Sequence, residues 1–99
     1  MRQPSLEWQK RTPVDGDPIW RTKPGKFYAI IDVACTCVFE WHVFMHPDVE
    51  VGMGSVYIEV EDEKWDYQCV EQVQVVAEDM LKALSETILG DLGTLRPVH

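Results

Sequence analysis

From Asp66 to Leu89 the apolar positions recur with the period of a helix. At about 100° per residue, Cys69, Val70, Val73, Val76, Ala77, Met80, Leu81, Leu84 and Ile88 fall in one stripe roughly 140° wide. Glu71, Gln72, Glu78, Asp79, Lys82, Ser85 and Glu86 take the opposite side, and only Val75 and Leu89 break the division. The pattern predicts one long amphipathic helix, with Asp66 as its N-cap and Gly90 where a left-handed C-terminal residue is wanted. Its stripe needs a partner surface, because burying it must outweigh the conformational entropy of the ordered backbone. On this reading Glu78 and Lys82 face solvent, and truncating either changes stability by less than about 0.5 kcal/mol.

Upstream, the period changes to two. Ser55 to Glu61 alternates with Val56, Ile58 and Val60 on one side and Ser55, Tyr57, Glu59 and Glu61 on the other. Lys26 to His46 holds no Gly or Pro and is dense in β-branched and aromatic residues, which predicts strands over Phe27–Val33 and Val38–Met45. In the second of these, Phe39, Trp41, Val43 and Met45 oppose Glu40, His42 and His46. A tight hairpin is expected at Ala34-Cys35-Thr36-Cys37, a poor turn sequence; the alternative is a buried helix, since Asp32, Thr36 and Glu40 recur at helical spacing. His46-Pro47-Asp48 and Gly52-Met53-Gly54 bracket an expected loop. Within residues 1–25, four prolines and the Asp15-Gly16 turn signal suggest an extended arm or edge hairpin, anchored by Trp8 and Trp20. The expected fold is therefore α+β: an antiparallel β-meander of three to four strands with one C-terminal helix on one face. The arm covers residues 1–25, the globular domain 26–92 and a tail 93–99.

Charge sharpens that division. The net charge is −8, yet residues 1–26 carry a net +3 and residues 27–99 a net −11. An acidic body argues against a nucleic-acid-binding groove and favours a partner with a basic surface. No apolar run approaches the ~20 residues that span a bilayer. The first residues, with Arg2, Pro4, Glu7, Lys10 and Arg11, lack the apolar core of a signal peptide. A soluble, cytoplasmic protein is expected, with Cys35, Cys37 and Cys69 as reduced, buried thiols.

Two sets of residues emerge as candidate binding sites. The first is the acidic run Glu59, Glu61, Asp62, Glu63 and Asp66, which includes Trp65 as a candidate interface anchor. Such an edge steers a basic partner and resembles a phosphate backbone in charge density. The second is the sheet's uncovered face, where Asp32, Glu40, His42 and Tyr57 would meet. With Glu59 these residues have the chemistry of acids and bases, but no activated nucleophile or phosphate-cradling loop accompanies them. No catalytic residues and no cofactor are therefore assigned. Cys35, Cys37, His42 and His46 invite a zinc reading, yet a straight strand separates the histidines by about 13 Å; no metal is assigned to them.

The arrangement of a compact meander with a spaced Trp or Tyr per strand, followed by one Glu- and Ala-bearing helix over residues 19–90, resembles many small uncharacterised phage proteins. That resemblance implies inhibitors or modulators of host and defence proteins and carries no functional residues over. The expected function is a non-enzymatic protein-binding module. A homo-oligomeric assembly protein using the uncovered sheet face is the alternative, and an enzyme comes third.

Overall fold

The computed structural model describes residues 3–22, 25–35, 37–58 and 67–95, with side chains on the helix described over residues 70–87. Among the described residues five strands and one helix follow in order: β1 (Trp8–Arg11), β2 (Ile19–Thr22), β3 (Phe27–Cys35), β4 (Val38–Met45), β5 (Val49–Tyr57) and α1 (Tyr67–Leu95). The strands form one antiparallel meander in the order β1-β2-β3-β4-β5, and α1 lies across β3, β4 and β5 on one face. The fold is α+β as the pattern predicts, with five strands in place of three to four.

β-branched and aromatic residues build the central pair. Ala29, Ile31, Phe39, Trp41 and Val43 point toward the helix and are buried together with Val70, Val73 and Ala77. Cys35 pairs with Val38, so a hairpin, not a helix, joins β3 to β4. The turn lacks glycine or asparagine, and Cys37 itself adopts the left-handed conformation at φ 70°. This is why the segment reads poorly as a turn. Over β1 and β2 the helix gives way to tryptophan: Trp20 is buried and tilts against Phe39 at 6.1 Å, and Trp8 packs beside the core. Thr22 completes the β2–β3 edge, where its buried Oγ1 accepts from the Ala29 N–H at 2.7 Å and donates to the Ala29 carbonyl at 3.2 Å.

The loop expected between His46 and Gly54 is mostly strand. Met45 pairs with Val49, which leaves three residues for the turn, and β5 runs through Gly52-Met53-Gly54. Both glycines face the core for want of room. A Cβ at Gly54 would lie 2.5–2.7 Å from three atoms of the Trp41 indole. One at Gly52 would collide with the Leu84 side chain of the helix. The glycines thus form a trough that seats an indole and a helix.

Three features of the helix differ from its helical-wheel reading. It runs through Gly90 to Leu95, past the expected cap and into the expected tail; a glycine in a helix interior costs only about 1 kcal/mol. The buried line is rotated, so Gln74 is 6% exposed while Val76, assigned to the stripe, is 36% exposed. The third difference concerns Glu78, which does not face solvent alone. It accepts from Ser5 N at 2.8 Å, Ser5 Oγ at 3.0 Å, Leu6 N at 3.0 Å and Trp8 Nε1 at 2.8 Å. Burial alone would push its carboxyl up, but these four donors together hold it below its ordinary value of 4.5. Glu78 therefore pins the arm to the helix.

Among the described residues no helix is long and apolar enough to cross a membrane. The expected N-cap Asp66 and the side chains of Cys69 and Ile88 lie outside the description.

Candidate functional site

With α1 on one face, alternation sends the other set of strand side chains to the opposite, open face. Register decides which of them meet. Asp32 pairs directly with Glu40 across β3–β4, and Glu40 in turn lies opposite Ser55 of β5. His42 stands one place along β4, between Ile30 and Met53. A shift of register between Val43 and Phe44 bulges β5 and brings Glu50 opposite Phe44, within reach of His42.

The result is a half-buried imidazole ringed by carboxylates. His42 Nδ1 lies 2.7 Å from Glu50 Oε1. Its Nε2 faces Glu40 Oε2 at 3.5 Å and Asp32 Oδ1 at 3.7 Å. The outer Asp32 oxygen is accessible, but Oδ1 is sealed from solvent and has no hydrogen-bond partner. One ligand atom from each of Asp32, Glu40 and His42 lies within 4.8 Å of the others.

Aromatic rings hold the imidazole in place. Phe44 stacks on Tyr28 at 5.3 Å and on His42 at 6.3 Å. Tyr28 is buried although it points to the open face, because the Arg21 guanidinium covers its ring at 4.8 Å and His46 leans on it at 5.3 Å. Its hydroxyl donates to the Pro47 carbonyl at 3.1 Å, next to the cis His46–Pro47 bond.

Of the residues expected on this face, Asp32, Glu40 and His42 are brought together. Tyr57 shares the face but sits opposite Val38, a ladder position beyond Glu40, and is 71% exposed. The sequence reading missed Glu50, because the Gly52-Met53-Gly54 stretch read as loop and the bulge hides its side-chain direction. The alternation Val49-Glu50-Val51 was the available signal. Cys35 and Cys37 lie at the β3–β4 turn and His46 at the opposite end of β4, so the mixed cysteine–histidine set is not gathered. Cys35 is exposed and Cys37 half-buried, where buried thiols were expected. The acidic run Glu59, Glu61, Asp62, Glu63 and Asp66, with Trp65, lies outside the described residues.

The same face has a second character. Toward β1 and β2, Arg11, Arg21, Ile19 and Ile30 line a cleft of about 510 Å³. The open face is thus basic and apolar on one side and acidic on the other. No family model, curated protein or solved structure matches the chain.

Proposed function

We propose that this chain is a small protein-binding module whose open sheet face receives a partner with a basic surface. One observation carries the reading: the helix covers a single face, and the other presents Asp32, Glu40 and Glu50 beside Met53 and Tyr57, which are 57% and 71% exposed. Exposed aromatic and methionine side chains next to fixed charge are what interfaces select. Three strands of eight or nine residues and two of four, about 4.8 Å apart, offer roughly 500 Å², somewhat below one partner's share of a standard interface. The acidic run from Glu59 to Asp66 follows β5 directly in the chain and would extend the negative charge. The reading needs no catalytic step, and inhibition or modulation of the partner is the activity such a module would have.

The experiment is capture from the native host with the wild-type chain, Met53→Asp and Tyr57→Ala. The partner should be lost from both variants while their unfolding transitions stay in place, and salt should weaken wild-type binding through the association rate. A partner retained by both variants refutes docking on this face. If Glu61→Gln, Asp62→Asn and Glu63→Gln together then slow association, the acidic run carries the binding instead.

The two-sided charge of the face favours a second reading, self-association. A two-fold interface is self-complementary when each copy offers both signs, and Arg11 and Arg21 of one copy would meet Asp32, Glu40 and Glu50 of the other. Light scattering separates the two readings: a salt-sensitive dimer dissociated by Arg11→Glu supports self-association, and a monomer excludes it.

A further inference from the structure

We propose that Asp32, Glu40 and His42 form a binding site for one divalent transition-metal ion, zinc by preference, with Glu50 as the carboxylate that orients the imidazole. The site shares Asp32, Glu40 and Glu50 with the docking face, but ion binding needs no partner and is tested on the isolated chain.

Three independent features converge on it. Asp32 and Glu40 are directly paired across the centre of the sheet, and like charges so placed repel. Asp32 Oδ1 is sealed from solvent without a hydrogen-bond partner, which leaves a buried acceptor in need of a positive neighbour. The third feature is the tautomer. A carboxylate only accepts, so the 2.7 Å bond to Glu50 places the proton on Nδ1. Nε2 is then the atom directed at Glu40 and Asp32, at 3.5 and 3.7 Å. Those separations are too long for hydrogen bonds.

They suit a metal. Zinc ligands at about 2.0–2.2 Å in a tetrahedron stand roughly 3.4 Å from one another. Both observed spacings from Nε2 lie within a few tenths of an ångström of that edge. The two carboxylates close the remaining distance by side-chain rotation, since all three ligand atoms already lie within 4.8 Å. Glu50 on the far ring nitrogen reproduces the carboxylate–histidine–metal relay that fixes ligand orientation and basicity. One nitrogen and two oxygens favour zinc or a similar ion over the thiolate-seeking metals, and three protein ligands leave a coordination position for water.

The test is calorimetric titration of the metal-free, reduced chain with zinc alone, together with cobalt absorption spectra. One ion per chain is expected, with a cobalt spectrum free of thiolate charge transfer. Asp32→Asn and Glu40→Gln, which keep shape, should each weaken binding at least about tenfold, and Glu50→Gln by about 10- to 100-fold. His42→Ala should abolish it, and Cys35→Ser with Cys37→Ser should leave it unchanged. The proposal is overturned if micromolar zinc gives no binding. It is equally overturned if binding survives Asp32→Asn and Glu40→Gln, or disappears with the cysteines. Circular dichroism of each variant shows whether a loss reflects the site or the fold.

Discussion

Glu78→Gln keeps the shape of the side chain and removes the charge that receives the arm. Four donors converge on this carboxylate: Ser5 N, Ser5 Oγ, Leu6 N and Trp8 Nε1. A hydrogen bond to a charged group contributes about 1.5–3 kcal/mol when water cannot replace it. Ser5 and Leu6 are exposed, so water recovers most of their loss; only the half-buried indole N–H counts in full. Glu78→Gln should therefore cost about 1 kcal/mol and Glu78→Ala about 1–3 kcal/mol, or roughly 4–8 °C in Tm per kcal/mol for a domain of this size. Lys82→Ala, exposed on the same helix, is the control. Much of the loss should be local, because a released arm regains backbone entropy. Hydrogen exchange at Ser5 and Leu6 should accelerate more than exchange in β3. Acidity provides a second measurement. The folded carboxyl lies below its ordinary value of 4.5, so its stabilisation is complete above that value and fades as pH falls through the lower folded one. As pH falls below 4.5, wild-type stability should fall more steeply than that of Glu78→Gln. Parallel pH profiles and unchanged exchange at Ser5 and Leu6 would refute the clamp.

The glycine trough predicts that Gly54→Ala destabilises by about 1–3 kcal/mol through its clash with Trp41. Trp41→Leu should be less harmful on that background than alone, and denaturant midpoints of the double-mutant cycle measure the coupling. Helix phase predicts that Val73→Asp, which buries an unpaired charge, costs more than about 3 kcal/mol. Val76→Asp should cost less than about 1 kcal/mol, although both valines belong to one stripe on a helical wheel; equal costs by chemical denaturation would contradict the observed rotation.

The hydrophobic period alone determined most of the architecture. Two-residue alternation over Val38–Met45 and the apolar stripe from Val70 to Leu84 are local patterns, and each element needs only its own residues to declare them. They also sufficed to put Asp32, Glu40 and His42 on one face, because side-chain direction in a strand follows from parity. What depended on the tertiary structure was everything set by a neighbour. Gly52 and Gly54 look like loop residues until Trp41 and Leu84 occupy the space where their side chains would be. Cys37 makes a turn because the register of β3 and β4 demands a reversal there. Glu50 joins His42 through a bulge, which shifts parity by one residue relative to Gly52-Met53-Gly54, so local alternation hints at its face but not at its partner. Glu78 lies on the polar side of the helical wheel, and only the path of a chain some seventy residues earlier turns that exposed carboxylate into an anchor. Local sequence fixes which way a side chain points, whereas its role depends on what the rest of the chain brings to meet it.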